Sequence, residues 1–221
     1  MAAAPLVALK GAAVAPGPAG ALAPLDLSLS AGARLLVTGP SGSGKTTLLK
    51  LLAGLRRPTA GRIDWAGGRA PARAMAFERD ALLDSESLLE NVLLHLRRLP
   101  REAALARGRA ALRSVGLAAS DEEKRPQELS GGMRKRAGIA RALASGAPVR
   151  IFDEPAAGLD PVTAREIGAL LSAPAEGLLV VGAADPGPLW ELVDLGLVLE
   201  PGRPARLGPR DVIRARWETL T

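Results

Sequence analysis

The segment from Gly39 to Thr46 reads GPSGSGKT, and it contains the residue types needed to hold a row of phosphates. Glycines let the backbone wind so that successive N–H groups point at an anion, and a helix starting there adds positive potential. Lys45 is expected to pair with the β- and γ-phosphates of a nucleoside triphosphate, and the Thr46 hydroxyl is expected to ligate Mg²⁺. The predicted phosphate cradle consists of Gly39, Pro40, Ser41, Gly42, Ser43, Gly44, Lys45, Thr46 and Thr47.

Two adjacent carboxylates, Asp153 and Glu154, follow the apolar run VRIF and could complete such a site. The run predicts a buried strand, so Asp153 would stand at its carboxyl end and could join the Mg²⁺ shell. Glu154 could then polarise the attacking water as a general base. An Asp-Glu pair in isolation is more often a solvated acidic turn, so this prediction depends on the cradle upstream.

A second anion-binding helix end is predicted by LSGGMRKRAGIARAL, residues 129–143. Ser130 can cap the helix, and Gly131 and Gly132 leave bare backbone around its N-terminus. We therefore expect a second phosphate contact there, one that uses no lysine.

These residues need strands and helices to position them. Short β-like runs alternate with helical patterns, which predicts an α/β fold with helices packed on a largely parallel sheet. Strands are predicted around residues 34–39, 58–68, 149–153, 177–183 and 195–200, and helices around 45–54, 161–171 and 210–220. Between Ser87 and Gly116 the apolar residues fall at helical spacing, with Pro100 dividing two helices and no strand pattern. A helical segment thus interrupts the α/β part.

Composition narrows the classes of function. The chain has 221 residues, no cysteine and one histidine, so a zinc site is not expected. No apolar run approaches the roughly 20 residues that span a bilayer, and no secretion signal is recognisable, which predicts a soluble, cytoplasmic chain. The formal charge of +6 fits nucleic acid, anionic lipid or a phosphate-bearing ligand. An aromatic content of 2% argues against a nucleic-acid stacking surface, and we expect no nucleic-acid partner.

The motifs GPSGSGKT, LSGG, IFDEP and GLDP (residues 158–161), in this order, resemble those of the nucleotide-binding subunit of an ABC transporter. The resemblance covers nearly the whole chain. It implies a P-loop NTPase of the ABC ATPase fold, with a RecA-like α/β core, an antiparallel β subdomain and an inserted α-helical subdomain. The implied organisation is a single domain, 1–221, with the core at about 1–86 and 146–221 and the helical subdomain at about 87–145.

The same resemblance implies ATP and Mg²⁺ as cofactors and a second ATPase subunit as partner. In this family two subunits face each other head to tail, so that each ATP lies between one cradle and the other subunit's LSGG helix. Ser130, Gly131 and Gly132 would then act on the partner's nucleotide, and Asp160 would lie at the interface. Transmembrane permease subunits, and a peripheral position on the cytoplasmic face of the inner membrane, are also implied.

Within the family, the LSGG and IFDEP regions are most similar to the ATPases of Mla/Mce-type lipid transport systems. Met133, where many relatives have glutamine, is the main basis for this resemblance. It implies transport of phospholipids or other lipids across the bacterial envelope, with substrate-binding or MCE-type components. ATPases of osmolyte importers also use methionine there, but they usually carry a C-terminal regulatory extension, and this chain ends soon after DVIRARWETLT. The lipid interpretation is therefore favoured over a small-solute importer.

Three family positions are altered. Glu78 stands where the family has the glutamine that contacts Mg²⁺ and the attacking water; its carboxylate can still ligate Mg²⁺ but adds negative charge near the γ-phosphate. Ala184 replaces the switch histidine, and losing one such donor commonly costs about 10² to 10³ in rate. Ala15 replaces the aromatic residue that stacks on adenine.

The hypothesis from these changes is a subunit that binds Mg-ATP and dimerises but hydrolyses ATP slowly. Two alternatives remain open: normal turnover despite the changes, and a regulatory subunit that clamps nucleotide without useful turnover. An ABC ATPase of DNA repair or translation is disfavoured, because the sequence has no long coiled-coil insertion, no zinc cysteines and no second cassette.

Overall fold

The structure is a computed structural model that describes residues 4–18, 20–79, 81–171 and 176–219. The strands are β1 (Val7–Val14), β2 (Leu22–Leu29), β3 (Arg34–Thr38), β4 (Ala60–Trp65), β5 (Arg73–Ala76), β6 (Val149–Asp153), β7 (Leu178–Ala183), β8 (Leu195–Val198) and β9 (Arg206–Pro209). The helices are α1 (Lys45–Ala53), α2 (Leu88–Leu93), α3 (Arg101–Ser114), α4 (Gly131–Ser145), α5 (Pro161–Leu170) and α6 (Arg210–Trp217).

The larger sheet has the strand order β5-β6-β7-β3-β8-β9. The pairs from β5 to β8 are parallel, and β9 runs antiparallel to β8. Every residue of β7 is buried, as expected of a strand in a parallel sheet that is covered on both faces. Because β3, β6 and β7 are parallel neighbours, the segments that follow them meet at one edge of the sheet. Those segments hold the cradle, Glu154 and Ala184.

The second sheet is antiparallel, with the order β2-β1-β4. The register of β1 shifts around Gly11, whose φ is +55°. A Cβ at Gly61 of β4 would lie 2.2 Å from the Gly11 carbonyl oxygen, so the two backbones approach as closely as only glycine allows. This sheet corresponds to the antiparallel subdomain that the resemblance implies.

Two apolar clusters hold these parts together. One joins α1, the antiparallel sheet and one set of side chains from β3, β6 and β7. The other joins the opposite side chains of the parallel sheet to α2, α3, α4 and the C-terminal elements. The strand that precedes the cradle and the helix that follows it are therefore both anchored in the core, and the loop between them is fixed at both ends.

The chain between β5 and β6 supplies α2, α3 and α4, and its described residues form no strand. Ser87 caps α2 by accepting a hydrogen bond from the Glu90 N–H at 3.3 Å, and Pro100 immediately precedes α3. The helix break predicted at Pro100 is confirmed. The boundaries of a helical subdomain at about 87–145 stay a prediction.

The predicted strands and helices of the α/β part are present, with ends that differ by a few residues. The end of the predicted C-terminal helix falls at residue 220, outside the described residues, and α6 ends at Trp217. Strands β1, β2, β5 and β9 are not among the strands predicted from the sequence pattern. Strands β5 and β9 are four residues long without clear apolar alternation, and pairing with a neighbouring strand stabilises each of them.

Candidate functional site

The cradle loop lies between β3 and α1, and glycine is required at both of its ends. Gly39 and Gly44 have φ values of 149° and 100°. A Cβ at Gly39 would lie 2.1 Å from the Leu199 carbonyl oxygen, and one at Gly44 would lie 2.8 Å from the Ala21 carbonyl oxygen. The loop therefore has the wound backbone that the GPSGSGKT pattern predicts.

Replacing Gly39 with alanine is expected to lower the free energy of unfolding by about 3 kcal/mol, because a positive φ and a backbone clash act together. Gly42→Ala is the matched control, since Gly42 also has a positive φ, of 78°, but open space around the added methyl group. It should cost only about 1 kcal/mol. Urea unfolding of both variants measures the difference, and equal losses would show that the Leu199 contact does not constrain the loop.

Lys45 reaches back into the cradle. Its side-chain nitrogen donates hydrogen bonds to the Gly39 carbonyl at 2.7 Å and to the Pro40 carbonyl at 3.2 Å. The residue is 8% exposed, so its ammonium is largely shielded from water. An ammonium held against the cradle loop provides a strong site for phosphate oxygens.

Asp153 lies at the carboxyl end of β6, beneath the cradle, and is 2% exposed. Burial raises the pKa of its carboxyl group, while a hydrogen bond with Thr46 and the positive charge of Lys45 act in the opposite direction. Among the described residues, its Oδ1 atom has no hydrogen-bond partner. A buried, unpartnered carboxylate oxygen next to a threonine hydroxyl fits the oxygen donors that Mg²⁺ prefers.

Glu154 is held in a left-handed backbone conformation, with a φ of 51°. Its N–H donates to the Gly182 carbonyl at 2.8 Å, and its Oε1 accepts from the Ala184 N–H at 2.7 Å. Burial raises the pKa of this carboxyl group, the Ala184 hydrogen bond and Lys45 lower it, and Asp153 and Glu78 raise it. A carboxylate in these surroundings, facing a phosphate cradle, is suited to accept a proton from water.

Eight of the predicted site residues, together with Ala184, line one cleft of about 440 Å³. They are Ser41, Gly42, Gly44, Lys45, Thr46, Thr47, Glu78, Glu154 and Ala184. Gly39, Pro40, Ser43 and Asp153 support the cleft without lining it. The structure therefore brings together the cradle, the general-base candidate, Glu78 and Ala184.

Ser130, Gly131 and Gly132 do not line that cleft. Ser130 caps α4 by accepting from the Met133 N–H at 3.2 Å, as predicted. The two glycines line a second cleft of about 570 Å³. Glu78 and Ala157 line both clefts, so the clefts adjoin, but the N-terminus of α4 does not face this chain's own cradle.

Asp160 caps α5. Its Oδ1 accepts hydrogen bonds from the N–H groups of Val162 and Thr163, both at 3.1 Å. The hydrogen bonding with Thr163 lowers the pKa of this exposed carboxyl group. Its carboxylate therefore has a structural partner within its own helix, in addition to the interface role that the resemblance implies.

Ala15 lies beyond the cradle, at a shallow groove of about 370 Å³ lined mainly by alanine and proline. Its N–H donates to the Thr59 hydroxyl at 2.9 Å, and that hydroxyl donates to the Ala13 carbonyl at 3.3 Å. Ala21 lines both this groove and the cradle cleft. The groove thus continues from the cradle without an aromatic side chain among its described lining residues.

Lys135 is a functional candidate that sequence reasoning missed. Its side-chain nitrogen donates to the carbonyl oxygens of Glu154, at 2.7 Å, and Ala157. Its position one turn into the LSGG helix was visible in the sequence, but its partners lie 19 and 22 residues away and no local pattern identifies them.

Comparison with known proteins gives matches to ABC transporter ATP-binding proteins. The sequence profile described as "ABC transporter" matches residues 22–157. The chain is 42% identical over 181 residues to the lipoprotein-releasing system ATP-binding protein LolD of Chromohalobacter salexigens, covering 74% of this chain and 76% of the relative. It is 41% identical over 157 residues to the taurine import ATP-binding protein TauB of Burkholderia pseudomallei, covering 68% of this chain and 60% of the relative.

A solved structure shares the fold. It is an ATP-binding cassette in a dimeric, post-hydrolysis state bound to ADP and Pi, with a TM-score of 0.83 and 25% identity, covering 92% of this chain and 98% of that one. This similarity confirms the ABC ATPase fold implied by the motifs.

Proposed function

Since the chain belongs to the ABC transporter family of ATP-binding subunits, we propose that it hydrolyses ATP in a dimer to drive a membrane permease that moves a lipid cargo. The family binds ATP with Mg²⁺. The observation that carries the proposal is the convergence of Lys45, Thr46 and Glu154 on one cleft, with the unpartnered Asp153 oxygen beneath it.

Each side chain of the cleft has a separate proposed role in hydrolysis. Lys45 and the backbone N–H groups of the cradle hold the β- and γ-phosphates in line for attack. Thr46 and Asp153 would hold Mg²⁺, with Glu78 at the rim of the same cleft, and a bound ion would neutralise charge on the phosphates. Glu154 accepts a proton from water as the water oxygen bonds to the γ-phosphorus, and the bond to the bridging oxygen breaks.

A dimer is proposed because one chain supplies only part of the phosphate site. The N-terminus of α4, with Ser130, Gly131 and Gly132, lies outside its own cradle cleft, where it would cover a partner's nucleotide. Asp160, at the start of α5, would then lie at the interface. The dimeric state of the solved relative supports this arrangement.

Slow turnover is part of the proposal. Ala184 offers only its backbone N–H, which Glu154 already occupies, and no side chain at this position reaches the γ-phosphate. Glu78 adds a negative charge at the rim of the cleft. Hydrolysis without the histidine and glutamine of the family is expected to rely on Glu154 and the cradle.

Replacing Ala184 with histidine is expected to raise the turnover number about tenfold or more, because it restores a donor toward the γ-phosphate. Ala184 is exposed in the cleft, so the larger side chain has space. Steady-state phosphate release measures the effect, and the same change in a Glu154→Gln background should give no gain. An unchanged turnover number in Ala184→His would contradict the slow-turnover proposal.

The cargo is proposed to be a phospholipid or other lipid, transported with MCE-type components. Similarity to LolD, named for lipoprotein release, supports a lipid-linked system. A small-solute importer is the second candidate, supported by similarity to the taurine-import proteins. Copurification in detergent tests the choice: MCE-type proteins and lipid are expected with the chain, whereas a periplasmic solute-binding protein would favour import.

The chain is proposed to lie on the cytoplasmic face of the inner membrane, attached through its permease. Within the residues that the structure describes, no helix is long and apolar enough to cross a membrane. The permease would therefore provide the transmembrane path.

A further inference from the structure

Lys135 connects the α4 helix to the turn that holds the proposed general base. Lys135, in the second turn of α4, donates its side-chain nitrogen to the Glu154 carbonyl at 2.7 Å and to the Ala157 carbonyl. These two carbonyls belong to the turn that follows β6. The lysine therefore connects the helix to the backbone of the proposed general base.

The backbone of Glu154 needs such support. A residue other than glycine in the left-handed region has a strained backbone, so surrounding contacts must hold it there. The Gly182 carbonyl binds the Glu154 N–H, and Lys135 binds the Glu154 carbonyl. Between these two anchors, the side chain points its carboxylate to the Ala184 N–H. Loss of the Lys135 contact would free one side of this arrangement.

Lys135 also faces the carboxylates of the site. Burial lowers the pKa of its ammonium group, and the charges of Glu154, Glu78 and Asp153 each raise it. Glu78 and Lys135 line the same second cleft. The negative charge at position 78 therefore shares a cleft with the positive charge of Lys135; the Lys135 side chain is partly buried, whereas Glu78 is exposed.

We propose that Lys135 is a positioning residue for ATP hydrolysis, which fixes the backbone of Glu154 and offsets the charge of Glu78. The inference rests on the proposed role of Glu154 as general base. It makes Glu78 tolerable in this chain, because the carboxylate lines the same cleft as the lysine.

The absence of cysteine from the sequence allows a chemical test. Lys135→Cys introduces a single thiol, and 2-bromoethylamine alkylates it to a side chain with the length and charge of lysine. Before alkylation, the turnover number for phosphate release is expected to fall about 30-fold, with the KM for ATP changed less than about threefold. Aminoethylation should restore most of the activity, whereas iodoacetamide, which adds a neutral group, should not.

A second comparison tests the charge separately. In the Glu78→Gln background, Lys135→Gln should cost about threefold less than in the wild-type background, because the charge it offset is gone. Arg136→Gln is the matched control: Arg136, the next residue of α4, also donates to backbone carbonyls, those of Val115 and Gly116. It should leave phosphate release close to the wild-type rate.

The outcomes distinguish failure of the proposed function from failure of the Lys135 inference. If wild-type phosphate release does not depend on Glu154, the proposed function fails. If it depends on Glu154 but Lys135→Cys retains the wild-type rate, or both alkylating reagents restore activity equally, the inference is overturned. If Lys135→Gln lowers the rate of phosphate release equally in the wild-type and Glu78→Gln backgrounds, the charge-offset part of the inference is overturned. Thermal melting of Lys135→Cys before and after alkylation identifies loss of folding independently of activity.

Discussion

Glu154→Gln is expected to lower the turnover number for ATP by at least about 10²-fold, because the amide cannot accept a proton from the attacking water. Glutamine keeps the size of the side chain and its carbonyl can still accept from the Ala184 N–H, so the fold and the geometry of the cleft should persist. ATP binding should therefore survive. Phosphate release under single-turnover conditions measures the chemical step, and calorimetry with Mg-ATP measures the affinity.

The matched control for this change is Glu166→Gln. Glu166 lies at an exposed position of α5, outside the cleft, so this substitution makes the same carboxylate-to-amide change away from the site. It should leave the rate unchanged. A Glu154→Gln protein that still turned over at the wild-type rate would exclude Glu154 as the base, and the residual activity would have to be assigned to another group.

Lys45→Ala is expected to weaken Mg-ATP binding about 30- to 100-fold. Hydrogen bonds from a charged group are worth roughly 1.5–3 kcal/mol each, and every 1.4 kcal/mol corresponds to tenfold in affinity. Alanine also leaves the Gly39 and Pro40 carbonyls without the donor they have in the wild-type chain. Calorimetric titration with Mg-ATP measures the loss, and phosphate release should fall with it.

Lys10→Ala controls for the loss of one positive charge. Lys10 lies on β1, where it forms an exposed ion pair with Asp64 at 3.1 Å. An exposed pair of this kind contributes at most about 1 kcal/mol to stability, so the variant should fold and bind Mg-ATP normally. If Lys45→Ala retained wild-type affinity for Mg-ATP, the phosphate cradle would not be the nucleotide site.

The parts of the site that the sequence predicts are those built from neighbouring residues. The cradle is a strand, a turn and a helix within about twenty residues, and its glycines are required by φ values and contacts of the loop itself. The caps at Ser130 and Asp160 are equally local, because each side chain accepts from an N–H group two or three residues further on. Such patterns depend on dihedral angles and short hydrogen bonds, which the sequence determines directly.

The missed features depend on residues far apart in the chain. Strand β5 is four residues long, and it is a strand because it pairs with β6. The Glu154 carboxylate meets the Ala184 N–H across 30 residues, because β6 and β7 are parallel neighbours. The Lys135 contact depends on how α4 packs against the turn after β6. None of these follows from spacing alone, since each requires the strand order and the packing of a helix.

The sequence by itself determined which chemical groups are available: a phosphate cradle, an acidic pair and a second glycine-bearing helix end. Only the tertiary structure decided which of these groups share a cleft. It placed Glu154 and the cradle in one cleft, left the N-terminus of α4 outside that cleft, and set Lys135 against the carbonyl of Glu154. Local backbone chemistry determines which groups the chain offers. Burial of apolar faces between the sheet and the helices determines which of those groups lie in one cleft.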